Sequence, residues 1–240
     1  MLTNDDGIEA EGIEALETVL LEIRPDAELL IIAPDGPRSG IGHALAQTGI
    51  HIEVDERGVD RIAVSGTPAD CARLALARGG PLWPAAHAPP PRPVDWVIAG
   101  INHGANLGTD TFVSGTAAAA REAALQGTPA IAISQYQARH RHIDWTATMT
   151  RARDVLDHLL DRPPAVPAYW NVNLPHPADE AVDTGWETCP VDPSPLPVEF
   201  EANALGYLNR ADYHGRARRA GGDVDVCLGG RIAVSEVRPA

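Results

Sequence analysis

Apolar runs that predict strands alternate with segments of helical periodicity, and this pattern limits the possible folds more than any other feature of the sequence. A helix is predicted over residues 10–23, where apolar residues recur at three- and four-residue steps from Ile13 to Ile23. The run "ELLIIAP" predicts a buried strand, and "RIAVSG" at 61–66 predicts a second. Short connections between such units favour a mostly parallel sheet with helices on both faces. The predicted fold class is therefore α/β.

The same alternation continues through the middle of the chain. The sequence "TPAD" at 67–70 supplies a cap, a first-turn proline and an early acid for a helix that runs to about Arg78. "VDWVIAG" predicts the next strand, "GTAAAAREAALQG" a helix that ends at Gly127, and "PAIAIS" another strand. A helix capped by Asp144 is predicted to extend to about residue 161, and "YWNVNLP" at 169–175 predicts one more strand.

The regular pattern ends near residue 175, which divides the chain into two predicted regions. Residues 1–175 are predicted to form the catalytic core, and residues 176–240 an irregular excursion that ends in a closing strand, "GRIAVSEV". The proline-rich segment at 81–93 is predicted to be an exposed loop, because proline lacks the backbone donor that a helix or central strand needs.

Charge and cysteine content exclude several classes of protein. The formal net charge of −14 argues against a duplex nucleic-acid binder, which would need basic patches for the phosphate backbone. The three cysteines are far apart in sequence and indicate neither a disulfide framework nor a thiolate zinc site. No apolar run approaches the length of a membrane span and no export signal is visible, so we expect a cytoplasmic protein without a membrane anchor.

Four loops that follow predicted strands are rich in small and oxygen-bearing residues. They cover residues 4–7, 34–40, 66–70 and 100–108. Because ligands bind beyond the carboxyl ends of the strands in parallel α/β sheets, we expect these loops to share one functional edge.

Two adjacent carboxylates in the first of these loops, Asp5 and Asp6 of "NDDG", are candidate metal ligands. Neighbouring side chains can reach one ion only in a turn, which the Asp-Gly step supplies. Such an oxygen-only set suits magnesium, manganese or calcium better than zinc. The alternative is that "NDDG" is an ordinary solvated turn.

Ser114, Gly115 and Thr116 begin an alanine-rich helix and form a candidate phosphate cradle. The amides at a helix N-terminus favour anions, and the two hydroxyls add further donors. The glycine spacing before this helix matches neither a dinucleotide-binding nor a Walker loop, and an ordinary Ser/Thr cap is the alternative. His103 is the only histidine in a candidate functional loop, and no G-x-S-x-G elbow supports a serine esterase.

Five segments in order and spacing resemble the SurE (survival protein E) nucleotidase family. They are "LTNDDGIEAEGIEAL", "IIAPDGPRSGIGHAL", "VSGTPADCARLAL", "VIAGINHGANLGTDTFVSGTAAAAREAALQGTPAIAIS" and "NVNLP", which together span about residues 2–175. The resemblance implies a Rossmann-like core and metal-dependent hydrolysis of nucleoside 5′- and 3′-monophosphates, sometimes with short polyphosphate. It also implies an exchanged hairpin over about 198–232 that supports homodimers or homotetramers.

The resemblance further implies the residues of the site. One divalent cation, Mg²⁺ or Mn²⁺, would be held by Asp5, Asp6, Ser39 and Asn102. Asp5, Asp6 and Asn102 would act in catalysis, either with a metal-activated water or with an aspartate as the nucleophile. The expected substrate and phosphate contacts are Asn4, Asn106, Ser114, Gly115 and Thr116.

The sequence departs from the family pattern at both ends. Fewer apolar residues precede "TNDDG" than in typical members, so we expect a clipped first strand or a misassigned start, and the helix that commonly follows the closing strand is absent from the sequence. Two other functional classes compete with a hydrolase. They are a nucleotide-binding module without turnover and a glycosyl- or nucleotidyltransferase, and free phosphate released from a monophosphate alone separates both from a hydrolase.

Overall fold

The computed structural model describes residues 1–54, 61–77, 93–139, 141–176, 185–204 and 206–239. The helices are α1 (Glu11–Ile23), α2 (Pro68–Leu76), α3 (Gly115–Leu125), α4 (Trp145–Leu160) and α5 (Asp223–Leu228), and a 3-10 helix covers Gly108–Phe112. The strands are β1 (Leu2–Thr3), β2 (Ile31–Pro34), β3 (Ile52–Val54), β4 (Arg61–Val64), β5 (Val97–His103), β6 (Ala130–Gln135), β7 (Tyr169–Leu174), β8 (Trp186–Thr188), β9 (Phe200–Asn203), β10 (Gly206–Asn209) and β11 (Ile232–Val237).

Nine of these strands form one mixed sheet in the order β3-β4-β2-β1-β5-β6-β7-β11-β8. The six strands from β4 to β7 in this order are parallel, whereas β3 and β11 run antiparallel to β4 and β7. The predicted α/β class with a mostly parallel sheet is therefore confirmed. The predicted closing strand is β11, and its pairing with β7 places it in the same sheet as the strands before residue 175.

Helices cover both faces of the sheet, which explains why its central strands are apolar throughout. In β6, Ile131 and Ile133 face the cluster that contains α1 and α4, while Ala132 between them faces the cluster that contains α2 and α3. Successive side chains of a strand point to opposite faces, so one short strand contributes to both cores. The alanines of α3 let that helix approach the sheet closely, and Ala117 and Ala120 are fully buried.

Most elements lie where the periodicity places them. The helix predicted over 10–23 is α1, and the helix predicted after Thr67 is α2, where Thr67 and Asp70 form a reciprocal capping box. Asp144 caps α4 as predicted, since its carboxylate accepts the Ala147 N–H. Apart from Pro93, the loop predicted over 81–93 lies outside the described residues.

The predicted hairpin over about 198–232 is shorter in the structure. Only β9 and β10 pair as a hairpin, and α5 then packs against β11 through buried Val224 and Cys227. Short elements such as β3, β8 and α5 were not predicted, because three to six residues are too few to establish a period.

The loops after β1, β2 and β5 meet at one edge of the sheet. The Arg38 N–H donates to the Asp5 carbonyl at 2.7 Å, and the Gly42 N–H donates to the Val113 carbonyl at 2.9 Å. Thus the loop after β2 touches both the "NDDG" turn and the residues just before α3. Within the described residues, none of the helices combines the length and apolar character that a membrane span requires.

Candidate active site

Asp5 is held at the N-terminus of α3. Its Oδ1 accepts the Thr116 hydroxyl at 2.5 Å, and its Oδ2 accepts the Gly115 N–H at 3.2 Å. Gly115 is required at this approach, because a Cβ there would lie 2.8 Å from the Asp5 Cβ. The helix start therefore binds a carboxylate of the protein, which the positive end of the helix dipole favours.

The rest of the "NDDG" turn is fixed by backbone groups. The Asn4 amide donates to the Gly7 carbonyl at 2.8 Å and accepts the Gly7 N–H at 3.1 Å, and Asn4 is fully buried. Gly7 has a φ of 107°, a conformation that favours glycine. The Oδ2 of Asp6 accepts the His103 N–H at 2.9 Å, which ties the turn to the end of β5. Asn4 thus shapes the turn, and its expected contact with substrate stays a prediction.

Five candidate residues line one cavity of about 350 Å³ at this edge: Asp5, Ser39, Asn102, Asn106 and Ser114. The Thr116 hydroxyl lies 3.4 Å from the Asn102 Oδ1 as well as against Asp5, so these two acceptor oxygens converge on one point. The Asn102 Nδ2 donates to the Gly104 carbonyl at 2.7 Å, which leaves its oxygen turned toward Thr116. A larger cavity of about 510 Å³ at the amino ends of the strands contains none of the candidate ligands.

The predicted phosphate contacts separate into two groups. Asn106 and Ser114 line the cavity, whereas Gly115 and Thr116 direct their donors to Asp5. The Ser114 Oγ accepts the Ala117 N–H at 2.9 Å as the cap of α3, and a hydroxyl in that position keeps its own proton for another acceptor.

Asn106 is fixed more strongly than its place in a loop suggests. Its N–H donates to the Asn173 Oδ1 at 2.8 Å, and its Nδ2 donates to the Ser134 Oγ at 2.9 Å. Its carbonyl accepts the side-chain amides of Asn171 and Asn173. These partners are buried and lie on β6 and β7, so the sheet itself holds this side of the cavity.

Burial disfavours the charge on both aspartates. It raises the pKa of Asp5, and the hydrogen bonds from Thr116 and Gly115 counteract this in part. Burial also raises the pKa of Asp6 to about 6; the His103 N–H opposes the shift and the charge of Asp5 adds to it. A buried and a half-buried carboxylate that repel each other are stabilised by a cation placed between them.

The donor set fits a hard divalent cation. Carboxylate, amide and hydroxyl oxygens are the ligands that Mg²⁺ and Mn²⁺ prefer, and Asp5, Asn102 and Ser39, which carry such oxygens, line one cavity. The described residues contain no group of three or more His, Cys, Asp or Glu side chains that could hold a metal ion. A site here would therefore depend on the neutral oxygens of Ser39 and Asn102 in addition to the carboxylate pair.

Comparison with known proteins identifies the family. The model of the family described as survival protein SurE matches residues 1–192. A putative 5′-nucleotidase of Synechocystis sp. is 41% identical over 99% of this chain and 98% of its own length. The 5′-nucleotidase SurE of Pelobacter propionicus is 42% identical over 75% of this chain and 67% of its own length. The chain belongs to the SurE family.

A solved SurE structure supports this assignment. The crystal structure of the SurE protein from Aquifex aeolicus has a TM-score of 0.77 and 28% identity, and the match covers 99% of this chain and 92% of that one. The resemblance found in the sequence is confirmed, and with it the Rossmann-like fold and the enzyme class, a phosphomonoester hydrolase.

Sequence reasoning missed one part of this SurE site. Five residues from the C-terminal part of the chain also line the cavity: Leu196, Pro197, Asn209, Ala211 and Tyr213. They come from the irregular region after residue 175, where no periodicity or motif marks them. The only signal is a tyrosine in an otherwise polar stretch, "NRADYHGR", which does not by itself indicate a site.

We expect Thr116→Val to impair the site through Asp5. The substitution keeps the shape of the fully buried side chain and removes the hydroxyl that Asp5 accepts. Loss of such a supporting hydrogen bond lowers metal affinity or activity by about 10- to 100-fold. The measurement is phosphate release against Mn²⁺ concentration, in which the half-activating concentration should rise.

Thr150→Val is the matched control, because Thr150 is exposed and its hydroxyl donates to the Thr146 carbonyl within α4. A Thr116→Val enzyme with an unchanged Mn²⁺ requirement but weaker substrate binding would instead identify Thr116 as a phosphate contact.

Proposed function

We propose that this SurE protein hydrolyses nucleoside 5′- and 3′-monophosphates to nucleoside and phosphate, and that it also accepts short polyphosphate. One divalent cation, Mg²⁺ or Mn²⁺, would be held by Asp5, Asp6, Ser39 and Asn102. The observation that carries this proposal is that Asp5 and Asn102, whose Oδ1 atoms both lie against the Thr116 hydroxyl, line one cavity together with Ser39.

The charge of the site supports a cation as part of the machinery. The chain has a formal net charge of −14, and Asp5 lines the cavity, so a phosphate approaching the protein alone would meet repulsion. When bound, the cation would neutralise phosphoryl oxygens and lower the pKa of a water molecule.

Different residues would then bind the cation and the phosphate. Asp5 and Asp6 supply negative charge at fixed positions, because α3 orients the first and the His103 N–H orients the second. Asn106 and the Ser114 hydroxyl are assigned to the phosphoryl oxygens, since both line the cavity. Phosphoryl transfer depends on such positioning and charge neutralisation more than on covalent chemistry by the protein.

The test is phosphate release from a panel of nucleoside 5′- and 3′-monophosphates, before and after exhaustive chelation and after readdition of Mn²⁺ or Mg²⁺. Activity should vanish with chelation and return with either ion. Ser39→Ala should lose at least about 100-fold in turnover with little change in stability, because Ser39 is exposed and ligates rather than packs.

Ser65→Ala, at another exposed serine, is the control and should behave as the wild type. Full activity after chelation would contradict the role of the cation. Tight nucleotide binding without release of phosphate would indicate a nucleotide-binding module instead of an enzyme.

We also propose that the protein is cytoplasmic. Cys71, Cys189 and Cys227 are buried free thiols, and such thiols suit a reducing compartment.

The protein is further proposed to form homodimers or homotetramers through the hairpin of β9 and β10. Residues 200–203 and 206–209 are all exposed, among them Phe200, Tyr207 and Leu208. An isolated two-stranded hairpin is marginally stable in water, so it gains stability by packing against another surface. A second copy of the chain is the occupant that we assign.

Multi-angle light scattering at micromolar concentration should give the mass of a dimer or tetramer. Phe200→Ser should shift the mass toward the monomer, because it removes an exposed apolar side chain from the hairpin. Leu125→Ser, at an exposed apolar residue of α3, is the control and should keep the wild-type mass. A monomeric wild-type protein would refute this assembly.

A further inference from the structure

One wall of the active-site cavity is supplied by a segment far from the candidate ligands in sequence. Residues 209–213, here called the wall segment, contribute Asn209, Ala211 and Tyr213 to the lining of the cavity that contains Asp5 and Asn102. These side chains carry no candidate cation ligand. Whatever part of a substrate extends beyond its phosphate must share the cavity with them.

The wall segment has no buried support on its N-terminal side. It begins with Asn209, the last residue of β10, and the described residues of β9 and β10 are exposed. Asp212 of the wall segment pairs with Arg139, but both of these side chains are exposed. The buried contacts that position the wall segment relative to the cavity begin at Tyr213.

Tyr213 is held by a buried carboxylate and a buried guanidinium. Its hydroxyl donates to the Asp110 Oδ2 at 2.6 Å, and the Arg216 Nη1 donates to the same oxygen at 2.8 Å. The Arg216 side chain is fully buried, and its Cζ lies 5.1 Å from the centre of the Tyr213 ring. Burial, together with the charge of Asp110, raises the pKa of Tyr213, so its hydroxyl stays protonated and acts as the donor.

The same carboxylate also fixes the loop that carries Asn106. The Leu107 N–H donates to the Asp110 Oδ2 at 3.1 Å, and the Arg216 Nη2 reaches the Leu107 carbonyl at 3.5 Å. Asp110 therefore joins the wall segment to the residue that follows Asn106. A charge-assisted hydrogen bond of this kind is stronger and more directional than a neutral one.

We propose that Tyr213, clamped by Asp110 and Arg216, is a positioning residue that sets the place of the wall segment and thereby the preference for nucleoside monophosphates over smaller phosphomonoesters. The inference rests on the proposed function, because it assigns the nucleoside part of that substrate to the wall segment. Removing the Tyr213 hydroxyl leaves the ring in place and breaks its link to Asp110.

The test compares Tyr213→Phe with wild type on a nucleoside monophosphate and on p-nitrophenyl phosphate, with Mn²⁺ present. For the nucleotide, KM should rise about tenfold, the change that corresponds to a lost hydrogen bond worth about 1.4 kcal/mol, and kcat should change less than about twofold. Both constants for p-nitrophenyl phosphate should stay at their wild-type values, because its small leaving group does not depend on the wall segment.

Tyr207→Phe is the matched control, since it removes the same hydroxyl from a side chain that is 80% exposed on the hairpin. It should leave both substrates unaffected. Melting temperatures of all three proteins establish that each is folded under the assay conditions.

Three results would overturn the inference. An equal loss of activity on both substrates in Tyr213→Phe would indicate a general structural role. Unchanged KM and kcat for both substrates would show that the hydrogen bond from Tyr213 to Asp110 does not position the wall segment. A wild-type protein that binds nucleotide without hydrolysing either substrate would overturn the proposed function alone. In that case calorimetric nucleotide affinity decides, and equal affinity in wild type and Tyr213→Phe would overturn the positioning role as well.

Discussion

The site depends on one interaction, the hydrogen bonds from the first residues of α3 to the Asp5 carboxylate. Asp5 and Thr116 are 111 residues apart, and their hydrogen bond joins the end of the central strand β1 to a helix that packs against the neighbouring strand β5. The glycine between the cap and Thr116 makes this approach possible, because a Cβ at residue 115 would collide with Asp5. The cost of burying this carboxylate is offset in part by these donors, and a cation would offset the rest.

The parallel sheet brings the other groups to the same place without long loops. Strands β1, β2 and β5 are adjacent or nearly so and run in the same direction, so their carboxyl ends deliver Asp5, Ser39 and Asn102 to one edge. The hydrogen bond from the Arg38 N–H to the Asp5 carbonyl then fixes Ser39 relative to the turn. The core thus sets the positions of Asp5, Ser39 and Asn102 at this edge. A change in the sequence or position of the exposed hairpin of β9 and β10 would not move these three candidate cation ligands.

Much of this arrangement could be predicted from the sequence, because it follows from patterns within short segments of the chain. Ser39 and Asn102 each follow a strand with a clear apolar pattern, so their shared edge follows from the parallel sheet. Asp5 follows only two apolar residues, Met1 and Leu2, and its loop was placed at the same edge by its composition. The role of Thr116 could not be predicted from the sequence. Its hydroxyl could face a bound substrate or the Asp5 carboxylate, and the distance between the loop after β1 and the start of α3 decides which. The bonds between the Asn4 amide and Gly7, which close the turn, could not be predicted either, because they depend on the exact backbone path of that turn.

The C-terminal residues that line the cavity could not be predicted from the sequence either, for a different reason. The contact between Asp110 and Tyr213 joins residues 103 apart, and the intervening chain after residue 175 offers no period from which its path could be inferred. Strand β8 has only three residues, and α5 lies within "GGDVDVCLGG", where flanking glycines obscure a single buried turn. Such elements are stabilised by tertiary contacts rather than by propensity.

The most direct test of the account is the Mn²⁺ dependence of the melting temperature in wild type and in Asp6→Asn. Wild type should melt higher as Mn²⁺ is added, because the ion binds the native state. Asp6→Asn should lose that rise, and without metal its stability should be unchanged or higher by about 1 kcal/mol, since the substitution removes one of two repelling charges. If Asp6→Asn instead loses several kcal/mol of metal-free stability while Mn²⁺ still raises its melting temperature normally, Asp6 only supports the turn and the cation site described above is wrong.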